Sequence, residues 1–374
     1  MKIAICNDIR QFNENRLKDY NWARQFPGSA WITSLFERQA ELDIDIASGD
    51  VALQNVKSGR WLAGDVRVVQ ELDARHGQEL CRLGAVPSVL TIFESPLVAY
   101  RSIDHLVRLR ISFPHCVGPR SLFELMPAQR QASYWPLTFP THWLNQVVTP
   151  IPWFQRKHAV LVAANKYWNE RRWQRVRSTK DALRIIRHGI RKRLSATYRE
   201  CRHMQLHDSR LALIDSLASR NQIDVFGSGW DSLDNLPHEW AKRLSGSRQI
   251  FHGQCSDKVV LSSHYRFTIT FENTAYPGYV TEKLIDGLIA GTVPVYLGAP
   301  DITAQVPDAA FIDTRVLGSR EAIIERMQQL TESEALTIIS AGRAFLKSPH
   351  GQRHSHEGFG DWVVSLLRGK GVAT

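Results

Sequence analysis

The sequence predicts an α/β protein with two domains and parallel sheets. Three observations carry this. The chain has 374 residues, more than one hydrophobic core usually organises. Short apolar runs alternate with helical patterns in two series, separated by a Pro- and Trp-rich stretch from Pro127 to Trp153. Val86–Phe93 is rich in Val, Ile and Leu, as a strand buried on both faces of a parallel sheet requires.

In the first series, Ile3–Ile5 reads as a strand. Trp31–Leu42 reads as a helix, and a strand begins within Leu42–Ile46. Val86–Phe93 is the next strand. Leu106–Phe113 alternates apolar and polar residues and predicts another. In the second series, His158–Ala163 is a strand. Asp208–Arg220 is a helix with Leu211, Ile214, Leu217 and Ala218 on one face. Ile223–Phe226 is a strand ending in Gly227-Ser228-Gly229. Tyr265–Phe271 is a strand, Val280–Ala290 a helix and Val293–Leu297 a strand. Gly291 sits where a helix C-cap glycine belongs. No internal repeat is visible.

Hydrophobic residues make up 43% and charged residues 22%, which excludes a disordered chain. A net charge of +10 favours anionic partners without choosing among nucleotides, nucleic acid and anionic membranes. The N-terminal MKIAICNDI is too short an apolar run for a signal peptide or an anchor. The apolar tract Trp135–Phe154 is broken by prolines, His142 and Asn145, so no segment is long enough to cross a bilayer. A cytoplasmic protein, peripheral at most to the inner face of a membrane, is the expectation. Five cysteines with no CxxC pair (Cys6, Cys81, Cys116, Cys201 and Cys255) argue against a disulfide framework and a structural zinc site. His115-Cys116 is a weak metal hint, since adjacent residues rarely face one ion.

A basic stretch runs from Arg171 to Arg202. It includes Arg171, Arg172, Arg175, Arg177, Lys180, Arg184, Arg187, Arg191, Lys192 and Arg193. Leu183, Ile186, Ile190 and Leu194 recur at helical spacing, so part of it is an amphipathic helix. Two readings stand: a solvated helix packed by its apolar side, or a helix attached to anionic lipid. No nucleic-acid-binding motif or aromatic stacking pattern accompanies the charge, so nucleic acid is not an expected partner.

The segment Phe267–Gly298, FTITFENTAYPGYVTEKLIDGLIAGTVPVYLG, carries the chemistry. A strand ends in the polar loop Glu272–Tyr279, and a helix starts at Val280-Thr281. Loops at the carboxyl ends of strands in open α/β sheets bind ligands, and a helix N-terminus suits a phosphate. Lys283 in the first turn adds a full charge, Glu282 is an acceptor for ribose hydroxyls, and Gly278 frees the loop to approach a ligand. On spacing alone, a nucleotide site and a set of ordinary surface charges both remain open.

The same segment closely resembles the signature of the α-1,3/1,4-fucosyltransferases, glycosyltransferase family 10: an aromatic-rich strand, FENS, a short loop, YVTEK, a helix, GTVPV and a terminal glycine. The resemblance implies a GT-B fold, two facing Rossmann-like domains with parallel sheets and an inter-domain cleft. Residues 1–150 would form the acceptor-side domain. Residues 151–350 would bind GDP-fucose, with a basic helical insertion at about 171–203, and residues 351–374 would be a tail. By the same resemblance Asn273, Tyr279, Glu282 and Lys283 belong to the donor site. Arg210, on the helix DSRLALIDSLASR, would meet the diphosphate, and Lys258 falls where the family has a lysine. Phe93-Glu94-Ser95-Pro96 resembles the family's FESP segment, and HLVRLRISFPH the segment after it. Glu94 is then the catalytic base.

Two departures stand out. Thr274 replaces a serine, and Gly278 replaces an aspartate. The implied reaction is an inverting transfer of L-fucose from GDP-fucose to a glycan hydroxyl. The expected acceptor is α-1,3 to a GlcNAc-type residue of a surface polysaccharide or lipopolysaccharide. No DxD-type metal motif is visible, Asp231-Ser232-Leu233-Asp234 having the wrong spacing; stimulation by Mn2+ or Mg2+ stays open. The rivals are a same-fold transferase using another GDP- or NDP-sugar and, remotely, a basic nucleic-acid-binding protein.

Overall fold

The computed structural model describes residues 1–369 except 24, 27, 142, 143, 145, 147, 150, 166–178, 231, 232, 234 and 235. Arg171, Arg172, Arg175 and Arg177 of the basic stretch, and most of the 231–234 tetrapeptide, lie outside the described residues. The chain forms two compact units. One comprises Met1–Asn145, Tyr276–Glu282 and Ser348–Thr374; the other comprises Gln146–Ala275 and Lys283–Lys347.

The first unit is built on six parallel strands: β1 (Lys2–Cys6), β2 (Asp45–Ser48), β3 (Val66–Glu71), β4 (Val86–Thr91), β5 (His115–Val117) and β6 (Ser133–Trp135), in the order β2-β1-β3-β4-β5-β6. Helices α1 (Ala30–Glu37), α2 (Gly49–Lys57), α3 (Arg75–Arg82) and α4 (Pro96–Leu106) belong to it. β1 pairs with β3 from Lys2↔Val66 to Cys6↔Gln70, and its Ile3, Ala4 and Cys6 are fully buried. That burial explains an uninterrupted apolar run in place of alternation.

The predicted strand Leu106–Phe113 does not form. Ser95 caps α4 by accepting from Leu97 N, with Pro96 in the first turn, and the helix carries Ile103 and Leu106 into the core. The residues after it are held by a side chain instead of a neighbouring strand. Gln129 Nε2 donates to Ile111 O at 2.7 Å, and Phe113 N donates to Gln129 Oε1 at 2.9 Å.

The second unit has β7 (Lys157–Val162), β8 (Ile223–Phe226), β9 (Tyr265–Phe271), β10 (Val293–Leu297) and β11 (Ile312–Asp313), in the order β11-β10-β9-β7-β8 and all parallel. Its helices include α5 (Thr179–Leu194), α6 (His207–Ala218), α7 (Lys258–Ser263), α8 (Glu282–Ile289), α9 (Arg320–Gln329) and α10 (Glu332–Lys347). Counted within each unit, the first five strands follow the same order, second-first-third-fourth-fifth. The order therefore reverses between the first and third strands of each, and ligands bind at the carboxyl ends beside such a reversal.

Two sequence expectations change here. The apolar side of α5 does not pack: Leu183, Ile186, Ile190 and Leu194 are all exposed. The described part of the expected tail at 351–374, residues 351–369, is built into the fold. It contributes α11 (His356–Leu367), whose Phe359, Trp362 and Val363 are buried with Trp31, Leu35 and Ile3 in the core of the first unit. The apolar spacing of GFGDWVVSLL is what a one-sided helix needs.

Candidate functional site

β9 is buried over most of its length, and its carboxyl end delivers the polar loop at the reversal point of the second sheet. Glu272 extends the ladder one step past the strand, its N–H donating to Leu297 O at 2.8 Å. Its side chain is fully buried, and Lys283 Nζ, in the first turn of α8, stands 3.1 Å from Glu272 Oε2. Below it lies Tyr296, whose hydroxyl accepts from Ala299 N at 2.9 Å. Burial, and then the charge of Glu272, hold that hydroxyl well above its ordinary pKa. Gly298 makes room for the arrangement. A Cβ there would fall 2.3 Å from the Tyr296 hydroxyl and 2.7 Å from Glu272 Cγ, so only glycine fits.

The chain before α6 holds the loop from the other side. Leu206 N donates to Asn273 O at 3.1 Å, and Ala275 N to Met204 O at 2.7 Å. Arg210, on α6, is 3% exposed. Its Nη2 donates to Phe271 O at 2.7 Å, Glu272 O at 3.0 Å and Asn273 Oδ1 at 3.3 Å. Expected at a diphosphate, Arg210 here fastens the loop that carries Asn273. Lys258, at the start of α7, forms an ion pair with Asp286 of α8, so it anchors the helix that follows the loop. Asn273 is buried, and Glu282, partly exposed, is the first residue of α8. A cavity of about 360 Å3 opens beside these strand ends, lined by Phe271, Leu297, Thr314, Arg315, Ser319 and Arg320 among others. Ser319 caps α9 there by accepting from Ala322 N, so a helix N-terminus and two guanidinium side chains border the space.

Tyr276–Glu282 belongs to the first unit. Tyr279 is buried and its N–H donates to Tyr276 O at 3.0 Å. Ser121 Oγ donates to the Tyr276 hydroxyl at 3.2 Å.

The first unit has its own cavity, about 480 Å3, over the carboxyl ends of β1, β3 and β4. These strands flank the reversal point of that sheet. Phe12, Phe26, Trp31, Phe93 and Phe139 give it aromatic walls, and Asp8, Glu71, Asp73 and Glu94 give it carboxylates. Glu94 is exposed and lies between β4 and Ser95, the cap of α4. The ring of Phe93 is packed 5.7 Å from Phe139 and 5.8 Å from Phe359. Glu71 takes a hydrogen bond from Thr91 Oγ1 and another from Phe93 N, the latter at 3.0 Å. Burial, with the charge of Glu94 adding to it and the two hydrogen bonds opposing, pushes its carboxyl up to about 8.

A family model described as glycosyltransferase family 10 (fucosyltransferase), C-terminal, matches residues 190–337. Over this stretch the chain is similar to glycosyltransferase family 10. The matched residues span Arg210, Lys258 and the whole segment from β9 to Gly298. The alpha-(1,4)-fucosyltransferase of Arabidopsis thaliana is 41% identical over 126 residues, 34% of this chain and 30% of that protein. The alpha-(1,3)-fucosyltransferase FucT of Helicobacter pylori is 34% identical over 114 residues, 30% of this chain and 23% of that protein. The match thus covers less than a third of either relative. The fold is of GT-B type. Anabaena HepE, solved with UDP-glucose, superposes with a TM-score of 0.56 at 12% identity, covering 99% of this chain and all of that one.

Within the family 10 segment, the departure at Gly278 has a backbone counterpart. Its φ is +73°, and a Cβ would lie 3.3 Å from Pro119 Cα, so the loop takes a course here that suits glycine. Two carboxylates escaped sequence reasoning. Glu272 was visible inside the FEN motif, but its burial against Lys283 depends on Gly298 far along the chain. Glu71 ends a strand that the apolar pattern did not single out.

Proposed function

We propose that this chain is an inverting glycosyltransferase that moves L-fucose from GDP-fucose to a hydroxyl of a glycan acceptor. The observation that carries the reading is the family 10 loop at the reversal point of the second sheet, with Glu272 and Lys283 paired beneath it and Arg210 fastening it. A partly buried lysine and the N-terminus of α8 are suited to a diphosphate. The finer reading, an α-1,3 linkage to a GlcNAc-type residue of a surface polysaccharide or lipopolysaccharide, rests on the resemblance of the segment and on the names of the relatives.

The chemistry follows from the groups present. The acceptor oxygen attacks the anomeric carbon of the β-linked donor. The bond from that carbon to the diphosphate breaks, and GDP departs with the electron pair. The acceptor proton passes to a carboxylate, for which Glu94 is proposed. One base and no covalent intermediate suffice for inversion. Charge grows on the leaving diphosphate, and Lys283 with the helix N-terminus stabilises it in place. Arg210 contributes by holding Asn273 and the loop backbone in position. In the first unit, aromatic walls suit the apolar faces of a sugar ring, and carboxylates suit its hydroxyls.

The test is turnover with GDP-fucose, GDP-mannose and UDP-sugars against a panel of acceptors headed by N-acetyllactosamine. Transfer from GDP-fucose alone supports the reading. Binding and turnover confined to another nucleotide sugar would replace it with the rival donor.

A further inference from the structure

Neither the donor segment nor the cavity of the first unit uses helix α5. Its sixteen residues, TKDALRIIRHGIRKRL, contain six Lys and Arg against one Asp. At about 100° per residue, Leu183, Ile186, Ile190 and Leu194 fall within an arc of about 80°. All four side chains are exposed, at 60%, 44%, 51% and 73%. Lys180, Arg187 and Arg191 border this stripe on one edge and Arg193 on the other, and all of them are exposed.

Four neighbouring exposed aliphatic side chains on a helix mark a surface built to be covered. A second copy of the helix is a poor cover, because it would bring a net charge of +5 (six minus one) against an equal charge. Nucleic acid would answer the charge and leave the aliphatic stripe without a use. An anionic bilayer answers both: the stripe enters the acyl boundary, and the flanking Lys and Arg reach up to the headgroups. No helix among the described residues is long and apolar enough to cross a membrane, so α5 would lie in the interface plane.

We propose that α5 is a docking surface for anionic lipid, with Leu183, Ile186, Ile190 and Leu194 inserted and Lys180, Arg187, Arg191 and Arg193 paired with headgroup phosphates. The experiment is co-sedimentation of the full chain with vesicles of phosphatidylcholine alone and of phosphatidylcholine with phosphatidylglycerol. The protein should follow the anionic vesicles, and binding should drop at least about tenfold on pure phosphatidylcholine or in high salt. Changing Ile186→Ser and Ile190→Ser together should weaken binding about tenfold or more. A separate variant with Arg187→Gln, Arg191→Gln and Arg193→Gln should weaken it about 100-fold. Both should keep the wild-type melting temperature, because these side chains are exposed. Failure of the wild type to bind anionic vesicles overturns the proposal. So does equal binding to pure phosphatidylcholine, or an isoleucine variant that binds like wild type. Self-association lost in the isoleucine variant, without vesicle binding, would assign the stripe to a second copy instead.

Discussion

Glu71 accepts a hydrogen bond from the backbone N–H of Phe93 at 3.0 Å, so a carboxyl at the end of β3 fixes the residue that immediately precedes the proposed base, Glu94. Thr91 Oγ1 donates to the other oxygen of Glu71. The turn leaving β4 is thereby tied to the neighbouring strand at two points, and the orientation of Glu94 rests on that tie.

Glu94→Gln should lower transfer by about 100- to 10,000-fold, the usual contribution of a general base. GDP binding, measured by calorimetry, should stay within about twofold of wild type. Near wild-type transfer would remove Glu94 from the mechanism.

The carboxyl of Glu71, raised to about 8, makes stability depend on pH. Its folded value lies above its unfolded value of 4.5, so the folded state holds a proton that the unfolded state has released between those limits. The contribution is complete below pH 4.5 and is lost as pH rises toward 8, at a slope of up to about 1.4 kcal/mol per pH unit. Glu71→Gln, which cannot ionise, should flatten the decline in melting temperature between pH 5 and pH 8. An unchanged slope would show that another group titrates there.

His354 predicts the opposite limb. Desolvation lowers it to about 4, against a bond to Phe139 O that partly restores it. Its folded value lies below its unfolded value of 6.5, so stability falls as pH drops from 6.5 toward 4. His158, lowered to about 4 by burial and then by Arg266, adds to this. Thermal melts from pH 7 to pH 4 should show the loss, and a His354→Gln variant should show less of it.

Lys283→Ala should act twice. It removes the cation beside a fully buried carboxylate, which typically costs about 3–5 kcal/mol, and it removes a charge from the proposed donor site. Combining it with Glu272→Gln should recover most of the stability and none of the turnover. Recovery of both would reduce Lys283 to a structural partner of Glu272.

The signature segment was legible because its meaning is local: strand, loop and helix follow one another, and Tyr265–Phe271 and Val293–Leu297 match the observed strands β9 and β10. Elements defined by distant partners were less readable. Leu106–Phe113 alternates like a strand, yet Gln129 holds Ile111 O and Phe113 N, and no strand among the described residues pairs with it. β3, and Glu71 with it, leaves no such local mark, because its identity comes from lying between β1 and β4. Arg210 is legible through the resemblance of its helix to the family's arginine-bearing helix. That its guanidinium faces three oxygens at the end of β9 depends on packing between elements some sixty residues apart.

The first unit is stitched from three separated pieces of chain, and its last helix puts Phe359 against Phe93 and Trp31. During synthesis, the second unit is complete once Lys347 has emerged. The first must wait, its core open, until α11 has left the ribosome. The half that carries Glu94 is therefore the later to mature and the more exposed to proteases and chaperones while it waits. A premature stop after Lys347 would spare the half proposed to bind GDP and cripple the half proposed to hold the acceptor.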